Sequence, residues 1–194
     1  MNEEKEGTKE KILYSTLQVI EHEGINAVTV RKIANVAQVN VAAVNYHFGS
    51  KEELLEEAME FSLFNAFKDP LLEIEQKKLD VKNAVYFLLH DWFEGMIKYP
   101  GISKAQLFKP FISNNYESLF VVKLNSFLEN FISKLKENGE AFDEHKFRLT
   151  IVQIISAIIL PGIMPGLFSK FFKTDLTIKE NREEYIQFLL DKYL

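Results

Sequence analysis

The apolar residues of this chain recur at spacings of three and four almost from end to end, rather than at a spacing of two. That period fits the 3.6 residues of a helical turn, so each segment buries one stripe as a helix and none buries one face as a strand. An all-α fold is therefore expected. Capping and breaking residues divide the pattern. A first helix is expected from Thr8 as N-cap to Gly24, with Leu13, Thr16, Leu17 and Ile20 on one face. Thr29 can cap a short second helix whose Val30, Ile33, Ala34 and Ala37 form a single stripe. After a turn through Gln38 and Val39, Asn40 can cap a third, with Val44 and Phe48 inward and Val41, Ala42, Asn45 and Tyr46 outward.

Gly49 breaks the chain, and Ser50-Lys51-Glu52-Glu53 reads as a capping box opening a long fourth helix toward Pro70. Further helices are expected at about 80–98, 102–113, 115–138, 144–160 and 180–193, with breaks at Pro100-Gly101, Pro110, Gly139 and Pro161-Gly162.

Composition narrows the chemistry. The chain has no cysteine, which excludes disulfides, thiolate metal sites and a cysteine nucleophile, and suits a reducing cytoplasm. The opening MNEEKEGTKE is too polar for a secretory signal. The apolar stretch 151–168 approaches the length of a membrane span, but Gln153, Ser156, Pro161 and Pro165 interrupt it, so a buried core or dimer helix is expected and no membrane partner. His22, His47, His90 and His145 form no i,i+4 metal pair, and neither a Gly-x-Ser-x-Gly elbow nor a phosphate-binding glycine loop occurs. Neither catalysis, a metal nor a cofactor is expected.

Two short helices joined by a tight turn, the second with an outward polar face, have the form of a helix-turn-helix whose recognition helix enters the major groove. Small side chains at Ala42 and Ala43 allow close approach to bases. The charge is unusual for such a role: the first 60 residues hold 6 Lys and Arg against 11 Asp and Glu. Any DNA-binding face must concentrate its few cations locally.

The run GINAVTVRKIANVAQVNVAAVNYHFGSKEELLEEAM resembles the N-terminal DNA-binding domain of the tetracycline-repressor (TetR) family, over about residues 8 to 60. The resemblance implies an all-α homodimer: residues 1–50 as a helix-turn-helix domain that binds double-stranded operator DNA, and residues 51–194 as a helical inducer-binding and dimerisation domain. By position it places Thr29 on a phosphate, Tyr46 and His47 on the backbone or base edges, and Lys51 on a second phosphate. Arg31 and Lys32 add cations near this surface. The chain departs from the family where Val41-Ala42-Ala43 stand for a common Lys-Gly-Thr and Gln38 for a common turn glycine, so the operator sequence is not inherited. Asn45 either reads an adenine edge or faces solvent.

The second region is rich in aromatics. Phe87, His90, Trp92, Phe93, Met96, Phe108, Phe111 and Phe127 are candidates to line a pocket for a small apolar or amphipathic inducer, or else pack as ordinary core. Ile151, Ile155, Ile158 and Ile159, with Tyr185, Phe188 and Leu189, are candidates for a dimer interface of paired helices. The expected function is a ligand-responsive regulator, commonly a repressor, on a palindromic operator. The alternative is a helical interaction protein of the same fold without operator binding.

Overall fold

The computed structural model describes residues 2–194, leaving aside the side chains of residues 2–6, 65, 68, 69, 109 and 113. The elements run α1 (Asn2–Glu23), a 3-10 turn (Ile25–Ala27), α2 (Val30–Val36), α3 (Val41–Phe48), α4 (Lys51–Lys77), α5 (Val81–Lys98), α6 (Pro100–Ser113), α7 (Leu119–Glu137), α8 (Glu144–Ile163), α9 (Pro165–Phe171) and α10 (Lys179–Tyr193). No strand occurs among the described residues, and the fold is all-α. They form two compact units, Met1–Asn65 with Gly101–Lys123, and Ala66–Pro100 with Leu124–Leu194.

The first unit is closed around Ile12, Leu17, Ile20, Val28, Ile33, Ala34, Val44, Phe48, Leu54 and Ala58. Ile102 and Ala105 of α6 pack against this cluster, although about eighty residues separate them from α1. At that seam the Ile102 amide donates to the Glu21 carboxylate at 3.0 Å, satisfying one of the free N–H groups that open α6. Gly101 is required there, since a Cβ at this position would lie 2.4 Å from the Glu21 carbonyl oxygen. The Gln106 amide fastens α6 to α4, donating to the Met59 carbonyl and the Ser62 hydroxyl, each at 2.8 Å.

The second unit packs α5 against α8 and α10. Asp80 and Asp143 cap α5 and α8 by accepting from Asn83 and Lys146 amides at 2.8 and 3.1 Å. Inside, rings follow one another in contact from Phe142 through Phe147, Phe131, Phe127 and Phe67 to Trp92, with centroids 4.5 to 6.4 Å apart. Arg182 is buried, and its guanidinium has several partners: it donates to the Leu176 and Thr177 carbonyls at 3.1 and 2.6 Å and pairs with Glu94. A buried cation is tolerable only with such partners.

Several expected boundaries move. Thr8 lies inside α1 rather than capping it, because nothing between Asn2 and Thr8 except Gly7 disfavours a helix. The expected breaks at Pro70, Pro110 and Pro161-Gly162 do not occur there: each proline lies within a helix, and each is buried, so the packing of its ring offsets the missing hydrogen bond. The α8–α9 break falls instead at Met164, and Pro165 opens α9 at the first position, where it lacks no needed donor. The expected helix from 115 starts at Leu119. Asn114 adopts a left-handed φ of 49° beyond α6, and the Asn115 side chain accepts from the Glu117 amide at 3.1 Å, making a turn of residues 114–118.

Candidate nucleic-acid interface

The geometry of residues 24–53 is set by short-range caps. Gly24 ends α1 with φ 85°, a conformation that only glycine adopts readily. The Thr29 hydroxyl accepts from the Lys32 amide at 3.2 Å and starts α2. The turn to α3 passes through Gln38 at φ 53°, so a residue with a Cβ occupies a left-handed position. Asn40 Oδ1 then accepts from the Ala43 amide at 2.7 Å and starts α3. Gly49 ends α3 at φ 70° and ψ −62°, in a three-residue turn closed by the Ser50 amide on the Phe48 carbonyl at 2.7 Å. The capping box of α4 is formed as expected: the Glu53 amide donates to Ser50 Oγ at 3.1 Å, and the Ser50 amide donates to the Glu53 carboxylate at 3.2 Å.

With Val44 and Phe48 buried, α3 presents Val41, Ala42, Asn45 and Tyr46 outward. Ala43 and His47 are half-buried, and the rings of Tyr46 and His47 meet edge to face at 5.3 Å. Tyr46 is 69% exposed. Lys51 is the first residue of α4, where the helix end carries positive potential. Arg31 is exposed, and among the described residues neither it nor Lys51 takes part in an ion pair. Lys32 differs, because its Nζ lies 2.6 Å from Glu23 at the end of α1.

The other candidate residues are divided. Phe93 and Phe127 are buried, whereas Phe87, His90, Trp92 and Met96 are half-buried in the same unit. Trp92 and Phe127 are brought together with ring centroids 5.1 Å apart, and the indole N–H donates to the Ala66 carbonyl at 3.3 Å. Phe67, which the sequence did not single out, touches both rings; it follows directly from the i+4 spacing of Leu63, Phe67 and Leu71 along α4. His90 stacks on Tyr86 and lies 4.0 Å from Glu183. Phe87 sits under the Lys77 ammonium. Phe108 and Phe111 belong to the other unit and are exposed there.

Among the interface candidates, Ile151, Ile155, Ile158 and Leu189 are buried in their own unit's core, Ile159 and Tyr185 are half-buried, and Phe188 is exposed. The Tyr185 hydroxyl donates to the Ala157 carbonyl at 3.0 Å, and its burial pushes the phenol above its usual pKa. The outward stripe of α8 consists of Leu149, Val152 and Leu160. By length and composition α8 is apolar enough to cross a membrane, yet its Phe147, Ile151, Ile154 and Ile158 are core residues.

The sequence profile of the family described as "Bacterial regulatory proteins, tetR family" matches residues 12–58. Across 147 residues the chain is 22% identical to the HTH-type transcriptional regulator LuxR of Vibrio harveyi, covering 71% of this chain and 69% of that protein. Among solved structures it is similar to a transcriptional regulator from Rhodococcus sp. Rha1, at a TM-score of 0.70 and 18% identity over 96% of this chain and 95% of that one. It is similar also to FadR of Thermus thermophilus, a TetR-family transcriptional repressor in complex with lauroyl-CoA. The TM-score is 0.56 and the identity 16%, over 96% of this chain and 95% of that one. At such identities the likeness to the two solved structures is one of fold.

Proposed function

The chain belongs, through residues 12–58, to the tetR family of bacterial regulatory proteins, and from that premise we propose that this transcriptional regulator is a ligand-responsive homodimer, acting as a repressor in the cytoplasm. The observation that carries the reading is the pair α2–α3. Two rigidly capped short helices leave Val41, Ala42, Ala43, Asn45 and Tyr46 toward a duplex, with Thr29, Arg31, His47 and Lys51 available to phosphates. Two such helices about 34–36 Å apart across a two-fold axis would match a palindromic operator.

Dimerisation is assigned to the outward residues of α8 and α10, Leu149, Val152, Leu160 and Phe188, which share those helices with the buried isoleucines. Val152→Glu is expected to yield a folded monomer by sedimentation, whereas Ile155→Glu is expected to unfold the protein, because it buries a charge in the monomer's own core. A Val152→Glu protein that stays dimeric would move the interface elsewhere.

The inducer is proposed to be apolar or amphipathic. Support comes from the half-buried, mutually packed rings of Phe67 and Trp92, and from the lauroyl-CoA held by the Thermus protein. An inducer releases DNA only to the extent that it prefers the DNA-incompetent state.

Selection of genomic fragments by the purified protein at two salt concentrations tests the whole reading. Enrichment of a palindrome is the expected result. Unselective or absent binding would favour an interaction protein of the same fold. Lys51→Ala should then weaken binding to all duplexes and reduce the salt slope by about one, whereas Asn45→Ala should change base preference at one position only if it reads a base.

A further inference from the structure

Lys32 is the one cation of the α2 opening that is already bound to a carboxylate. Its Nζ lies 2.6 Å from Glu23 Oε2, while the adjacent Arg31 has no ion-pair partner among the described residues. Both members of the pair remain open to solvent, Lys32 at 35% and Glu23 at 51% exposure, so the contact can be exchanged for another oxyanion. The backbone that carries each group is anchored. Glu23 is the last residue of α1, fixed by the Gly24 amide on the Ile20 carbonyl at 3.0 Å, and Lys32 is tied by its own amide to the Thr29 hydroxyl. An exposed pair of this kind contributes little to folding. Its greater consequence falls on whatever anion Lys32 would otherwise meet.

Resting on the DNA-binding reading above, we infer that Glu23 is an internal competitor for the DNA phosphate, holding Lys32 out of the interface and setting the affinity of the unit below what its cations permit. A carboxylate presents the same anionic oxygens to an ammonium as a phosphate does. In a region with 6 basic and 11 acidic residues, withdrawing one cation is a large share of the electrostatic contact. The effect is independent of sequence, so Glu23 lowers operator and non-specific affinity together.

The test compares the full-length wild type, Glu23→Gln, Lys32→Met and the double variant. Each is titrated by fluorescence anisotropy against an operator duplex and a scrambled duplex across a range of salt. Glu23→Gln is expected to bind both duplexes several-fold more tightly, with a salt slope steeper by about one, because Lys32 now neutralises a phosphate. In the Lys32→Met background the same change is expected to leave the slope where it was. Unchanged affinity in Glu23→Gln overturns the inference, and so does a slope change that persists without Lys32, which would signify plain repulsion of DNA by Glu23. Failure of the wild type to bind either duplex would instead overturn the DNA-binding reading, and the inference with it.

Discussion

The unit around residues 12–58 and the unit around Phe131 are held by different means. In the first, the shape of the α2–α3 surface is fixed by backbone chemistry a few residues apart: the caps at Thr29 and Asn40, the reciprocal box of Ser50 and Glu53, and the turns at Gly24 and Gly49. In the second, the elements meet through side chains far apart in sequence, along the rings from Phe142 to Trp92 and at the pair of buried Arg182 with part-exposed Glu94. The difference teaches where each is vulnerable. Caps are lost one at a time and at modest cost, whereas a packed ring leaves a cavity.

Phe131→Ala should have the largest effect, lowering the stability of the ring-packed unit by about 3–5 kcal/mol, since a fully buried phenylalanine is removed from between two others. Hydrogen exchange should show the loss in α5, α7 and α8 before α2 and α3. Equal loss in both would mean that the units unfold together, and the comparison would break. Gly49→Ala comes next, at about 1–3 kcal/mol, because the turn demands a positive φ. Its new Cβ would also lie 2.5 Å from the Glu53 carboxylate, disrupting the box. Chemical denaturation should register that loss, and DNA affinity should fall with it.

Asn40→Ala removes the α3 cap and should cost about 1 kcal/mol by the same assay. Gln38→Gly should act in the opposite direction. A left-handed backbone costs a residue with a Cβ about 1–2 kcal/mol, and glycine's extra freedom in the unfolded chain returns about 0.5–1 of that, so a gain of about 0.5–1 kcal/mol is expected.

The smallest effect concerns acid. The Arg148 guanidinium, donating to both oxygens of Glu129 at 2.7 Å, holds that carboxyl below the usual range; hydrogen bonds from Lys136 and then Arg148 do the same for Glu144. Groups with depressed folded values stabilise above their unfolded values, roughly pH 4.3, and lose that contribution as the pH falls through the folded ones. Arg148→Met should therefore flatten the pH dependence of unfolding below about pH 4, because the small stability it removes is present at neutrality and already lost in acid.

The same contrast explains what could be read from the sequence. Thr29, Asn40 and the Ser50–Glu53 box were legible because capping is an i to i+3 relation written in residue type. So was the inward pair Val44 and Phe48. The prolines misled, because whether Pro161 ends a helix depends on the packing of its ring. Ile151, Ile155 and Ile158 were placed on the right helix, but a wide apolar face does not state which part meets its own core, and only the structure separates them from Leu149 and Val152. The spacing of Leu63, Phe67 and Leu71 puts Phe67 on one stripe of α4, but its contacts with Trp92 and Phe127, and the separation of Phe108 and Phe111 from Trp92, were illegible, since contacts between distant segments leave no local trace. The Lys32–Glu23 pair spans nine residues across a 3-10 turn and carries no periodic signal.

The seam at Gly101 has a bearing on how the protein is made. The unit that begins with α1 is completed by a helix about eighty residues further along, anchored on Glu21 and Met59. During synthesis the N-terminal segment therefore emerges with the faces meant for Ile102 and Ala105 still uncovered, and it waits several seconds at ordinary rates of about 5–20 residues per second. Closure over so long a loop is a late event in folding, and a chain released before α6 exposes an apolar flank rather than a finished unit.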